Sequence, residues 1–145
     1  MTHATDSAAV RGDDQTFLSA ASVLVDRAMT FAEENDLRLC VVVLDASFTP
    51  VALARRDGAF PSTVAVATAK AHTALNFRAP THLLRERIVP ENQRALASVE
   101  PRMMFVGGGV PLVRNGVTIG ALGVSGGSED QDVRCVMHAV EELLS

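Results

Sequence analysis

Tryptophan and tyrosine are absent from this 145-residue chain, and phenylalanine occurs only six times, so platforms for stacking bases or sugars are poorly supplied. Cysteine is nearly as scarce. Cys40 and Cys135 are too few and too far apart for a disulfide framework or a CxxC metal clip. Their apolar neighbours (Leu39 and Val41; Val136 and Met137) mark both as buried, inert thiols. The 13 basic residues form no run of Lys or Arg, and the net charge is -4 with a pI near 5.5. That leaves no electrostatic footprint for a nucleic acid. No window reaches about 18 consecutive apolar residues, and Met1 to Asp6 lacks a positively charged segment followed by an apolar one. The expectation is a cytoplasmic protein with neither a membrane nor a nucleic acid as partner. His3, His72, His82 and His138 show no H-E-x-x-H or clustered Cys/His spacing, so no metal site is expected.

What is present suits one globular domain. Hydrophobic residues make up 48% and charged residues 21% of the chain, enough for a core and too apolar for disorder. Met1 to Gly12 is small and polar without periodicity and reads as a flexible tail, leaving 13–145 as the domain. Phe17, Ala20, Ala21, Leu24, Ala28, Phe31 and Ala32 recur at helical steps and predict a first helix from Asp13 to about Asn35, with Asp13 and Asp14 at the positive end of its dipole. Leu39 to Leu44 and Val51 to Ala54 read as a strand hairpin around the turn residues 45–50. Pro61 opens an alanine-dense helix reaching Phe77, whose small side chains allow close approach of another element. A further helical piece starts at Thr81 and stops before Pro90, while Glu91 to Pro101 is ambiguous. Met103–Val106, Val110–Arg114 and Val117–Val124 read as three strands, the last two joined at Asn115-Gly116. Ser128 and Gln131 form an S-x-x-Q capping box opening a last amphipathic helix. This order argues for an α+β fold with a five-stranded, mainly antiparallel sheet, against which the N- and C-terminal helices pack.

Two glycine clusters and one lysine are the candidates for chemistry. Gly123-Val124-Ser125-Gly126-Gly127 matches G-x-S-x-G, the nucleophile elbow, but the only downstream histidine, His138, lies on the following helix and is poorly placed to reach Ser125. These glycines equally suit a tight strand-to-helix connection, or unpaired N–H groups that hold an anion. Gly107-Gly108-Gly109-Val110-Pro111 matches neither a P-loop nor G-x-G-x-x-G and reads as a pocket-lining hairpin or a plain turn. Lys70, set among alanines, is expected to pair with a carboxylate, Asp57 or Asp45 being the candidates. His72 and His82 are the histidines near candidate pocket segments.

Together, Val42-Val43-Leu44-Asp45, Arg55-Arg56-Asp57-Gly58-Ala59, Lys70-Ala71-His72-Thr73-Ala74, Ala79-Pro80-Thr81, the 107–112 segment, Gly120 to Gly127 and the Gln131-Asp132 that follows resemble the GlcG/HbpS-like family, which includes the C-terminal domain of the PduO corrinoid adenosyltransferase. The likeness runs from about Phe17 to Leu144. It implies a profilin-like α-β-α sandwich, homo-oligomers from dimers to octamers and, in some members, haem or corrinoid binding. Two departures stand out: Arg56 precedes Asp57 where the family often has methionine, and His72 occupies a position where an aromatic or small residue is common. An added cation suits an anionic ligand. The first reading is therefore a small-molecule-binding protein, with haem or a related tetrapyrrole as the ligand the resemblance favours. Arg56, Gly107, Gly108, Gly109, Pro111, Ser125, Gly126 and Gly127 would line its pocket with Asp57, Lys70 and His72. The second is a cofactor-independent isomerase, lyase or hydrolase acting on a small anionic metabolite, with Lys70, Asp57 or His72 supplying acid–base chemistry and loop N–H groups holding the anion.

Overall fold

The computed structural model describes residues 16–141; the expectations placed on the tail and on Asp13 and Asp14 lie outside them. Helix α1 (Phe17–Glu34) starts where the Thr16 hydroxyl accepts the Ser19 N–H, and it buries Ala20, Ala21, Leu24, Ala28 and Ala32 along one stripe. Strand β1 (Cys40–Asp45) is apolar throughout its buried part because both of its faces are covered. Val41 and Val43 pack with α1 and the last helix, while Cys40, Val42 and Leu44 pack with the alanine-rich helix on the other side. Asp45 then turns the chain by accepting the N–H groups of Ser47 and Thr49 at 2.9 and 3.1 Å. Strand β2 (Pro50–Arg55) lies at the sheet edge, where its opening proline costs no ladder bond.

Helix α2 (Thr63–Phe77) covers the second face. The close approach expected of its alanines is met by glycines in the sheet: a Cβ at Gly123 would lie 2.0 Å from the Ala67 carbonyl oxygen, and one at Gly109 would lie 2.3 Å from that of Lys70. Helices α3 (Thr81–Arg87) and α4 (Pro90–Val99) follow, then β3 (Gly109–Arg114), β4 (Val117–Ser125) and α5 (Glu129–Val140). The β3–β4 turn places Asn115 and Gly116 at φ 52° and 79°, as a tight hairpin with two left-handed residues requires. The Ser128–Gln131 capping box closes as its spacing predicts.

The sheet has four strands among the described residues, in the antiparallel order β2-β1-β4-β3, and five helices accompany it. One expectation is thereby corrected, and one stretch left open by the sequence is settled. Met103–Val106 is irregular and forms no fifth strand. Its backbone is held by a helix side chain, Met104 donating its N–H to the Thr73 hydroxyl at 2.8 Å. The ambiguous 91–101 stretch is largely helix: Pro90, which ends α3, sits in the first turn of α4, where a missing N–H is harmless.

Candidate functional site

Lys70 is the only lysine of the sequence, and α2 carries it inside, 2% exposed. Its ammonium donates to Asp132 Oδ2 at 2.9 Å and to the Val124 carbonyl at 3.0 Å. The expected carboxylate partner is thus Asp132, in the first turn of α5, rather than Asp57 or Asp45. Asp57 is exposed after β2, and the Asp45 carboxylate serves its own turn. The other oxygen of Asp132 accepts the Gly127 N–H at 3.0 Å. One helical turn earlier, on the same face, Glu129 accepts the Gly107 N–H at 2.7 Å and pairs with Arg85. Burial pushes the Asp132 carboxyl above the usual carboxylate range, against the pull of Lys70 and Gly127. The Gly107 N–H, helped by Arg85, holds Glu129 below it.

The Gly107–Gly109 loop folds over this ion pair so tightly that a Cβ on Gly108 would come 2.9 Å from the Lys70 nitrogen. Gly109 donates its N–H to the Thr81 hydroxyl at 2.9 Å. Ser128 donates its own N–H to Gln131 within the capping box. The loop N–H groups that sequence reasoning offered to an anion are therefore largely taken by the protein's own side chains. Three acids in the first turn of α5, Glu129, Asp130 and Asp132, would further repel one.

The remaining candidates are dispersed. Ser125 is the buried last residue of β4, opposite Cys40, while the His138 ring lies against Phe31, 5.5 Å between centroids. Arg56 is half-buried and spends its guanidinium on the Ala32 and Leu37 carbonyls, tying the end of α1 to the sheet. Pro111 is in β3, opposite Ala121. His72 is 6% exposed, its ring 4.6 Å from that of Phe48, and its Nδ1 is buried without a hydrogen-bond partner. Burial pushes its pKa down, with Arg102 adding to the effect.

A cleft of about 390 Å³ opens at the other end of α2, roughly 13 Å along the helix from His72 at 1.5 Å per residue. Its walls are Asp36, Leu37 and Arg38 before β1, Gly58 to Phe60 and Thr63 before and at the start of α2, and Gly126 to Ser128 with Gln131 at the start of α5. Phe60 is 76% exposed there. Arg38 lies across Gly58, whose absent Cβ would meet the Arg38 side chain at 3.1 Å, and pairs with Asp36 at 2.8 Å. Both members of that pair are solvent-exposed, so little is lost when Arg38 changes partner. Of the residues singled out from sequence, Gly126 and Gly127 line this cleft, and Lys70 is joined to it through Asp132. Arg38 and Phe60 were not anticipated, and Asp132 was noted only within the family motif, not as the partner of Lys70. Asp132 had a readable signal: it falls on the apolar stripe of α5 with Cys135, Val136, Ala139 and Val140.

A family model described as haem degrading protein HbpS-like matches residues 17–141. The chain belongs to the HbpS-like family. Within it, an uncharacterized 15.0 kDa protein from the dhaT-dhaS intergenic region of Citrobacter freundii is 31% identical over 117 residues, 79% of this chain and 82% of that one. The corrinoid adenosyltransferase PduO of the same organism is 33% identical over 124 residues, 83% of this chain but 36% of PduO, so the likeness spans only about a third of that enzyme. The crystal structure of a PduOC:heme complex superposes with a TM-score of 0.80 at 30% identity, covering 87% of this chain and 92% of the other. The HbpS-like match thus takes in the buried Lys70–Asp132 pair and the whole cleft. No helix among the described residues is long and apolar enough to cross a membrane.

Proposed function

We propose that this protein binds haem or a related tetrapyrrole, and that the cleft between Arg38, Phe60 and the 126–128 loop receives it. The observation that carries the reading is the heme complex of a relative that shares this fold at 30% identity. The cleft supports it from this chain's own residues. Its volume of about 390 Å³ lies in the range of small-molecule sites. Leu37, Ala59 and the ring of Phe60 offer apolar surface to a flat macrocycle, and Arg38 offers a guanidinium to a peripheral carboxylate. When bound, the group supplies a planar chromophore with carboxylate arms and a central metal. The lining residues fit the organic frame. Among the described residues the lining holds no histidine, cysteine or methionine, so it would hold the ring by its faces and edges rather than through its metal.

The acid–base alternative draws no support from the site. Lys70 is enclosed and doubly bonded, Asp57 is not among its partners, and the N–H groups of Gly107, Gly109 and Gly127 beside it are engaged.

Titration with hemin and with metal-free protoporphyrin, followed by visible absorption and porphyrin fluorescence, tests the proposal. Both compounds are expected to bind at micromolar concentration, and Arg38→Glu and Phe60→Ala should each weaken binding by about tenfold, the worth of one charge-assisted bond or one buried aromatic contact. His72→Phe should leave it unchanged. No spectral change with either compound would sink the reading.

A further inference from the structure

A buried ion pair is an inefficient way to stabilise a core, since apolar residues of the same shape often do as well or better. The Lys70–Asp132 pair, 3% exposed at each side chain, therefore calls for another role. Asp132 divides its two oxygens: Oδ2 takes Lys70, and Oδ1 takes the N–H of Gly127, a residue of the cleft wall. Lys70 in turn holds the Val124 carbonyl, two residues before Gly126. Gly126, at φ 128°, passes so close to the opposite wall that a Cβ there would lie 2.2 Å from the Arg38 carbonyl oxygen. A shift of this loop changes the space beside Arg38 directly.

We infer that Asp132, oriented by Lys70, is a positioning residue that fixes the Gly126–Ser128 wall of the cleft, using the ion pair to aim one carboxylate oxygen at the Gly127 amide. The wall is held whether or not a ligand binds; the effect on affinity rests on the tetrapyrrole reading above.

Two charge-free double variants separate this role from simple stability. In K70M/D132N the amide oxygen still accepts the Gly127 N–H, whereas in K70M/D132L an apolar side chain of similar shape offers no acceptor. The Leu variant is expected to fold, to exchange its Gly127 amide proton at least about tenfold faster than the Asn variant, and to bind protoporphyrin about tenfold more weakly, as loss of one wall-setting bond implies. Equal Gly127 exchange in the two variants would overturn the inference. If no protein, wild type included, binds protoporphyrin, the ligand reading fails while the exchange result still decides the positioning role. Should the Leu variant not fold, the wild-type amide decides: Gly127 must exchange as slowly as the end of β4, and exchange at an open-loop rate would refute the claim.

Discussion

His72 shows how one side chain can be buried at a cost. Its ring gains contact with Phe48, yet Nδ1 faces no partner, and an unsatisfied buried polar atom costs about 1–3 kcal/mol. His72→Phe keeps the ring and removes that cost, so its melting temperature should equal or exceed that of the wild type. The pH dependence has a definite sign. Burial and Arg102 lower the folded pKa, and Glu100 opposes them less, so the unfolded chain takes up a proton first as pH falls below its ordinary value of 6.5. Wild-type stability therefore declines from that point down through the depressed folded pKa, and below it this group causes no further loss. Urea unfolding of both proteins at pH about 7.5 and about 5.5 should show the gap in favour of His72→Phe widening at the lower value. A constant gap would mean that His72 ionises freely in the fold. The inert thiols, by contrast, were legible from their apolar neighbours. Burial pushes the Cys135 thiol up to about 12 and raises Cys40 too, so neither should react with iodoacetamide at pH about 8 until the protein is denatured.

Among the elements, α2 and the sheet form the tightest joint, and it rests on a missing side chain. Gly123→Ala places a methyl 2.0 Å from the Ala67 carbonyl oxygen, which neither the helix nor the central sheet can vacate locally. Chemical denaturation should register a loss of about 2–3 kcal/mol, the upper part of the overpacking range. Gly116→Asn meets nothing within 4 Å and keeps a residue tolerant of left-handed φ, so it should cost less than about 1 kcal/mol. The alanine spacing of α2 and the capping box of α5 could be read from the sequence because both are local patterns. The Met103–Val106 segment could not: its apolar run looks like a strand, but the Thr73 hydroxyl that takes the Met104 N–H comes from a helix 31 positions away. The same limit misdirected the partner of Lys70. Asp57 and Asp45 are near it in sequence, whereas Asp132, 62 residues on, is near it only in the fold.

For the whole molecule, the question is what covers the surfaces that a single chain leaves bare. Helix α4 buries none of its residues, yet it carries Leu96 at 36% and Val99 at 85% exposure, three positions apart and so on one side. Leu53 on the edge strand is 47% exposed as well. A ten-residue helix with no core of its own is marginal in water and needs packing to persist. A second copy of the chain is the partner always at hand. Symmetric pairing that brings two such faces together would bury both at once. Light scattering at micromolar concentration should therefore give a mass of at least twice 15.4 kDa. Leu96→Glu with Val99→Glu should shift it toward the monomer by placing like charges across the contact, while leaving the Lys70 network intact because α4 takes no part in it. A wild-type protein that runs as a clean monomer would remove self-association as the reason α4 is helical. If the charged variant instead stays assembled, the joint lies elsewhere, and the exposed edge at Leu53 becomes the next surface to alter.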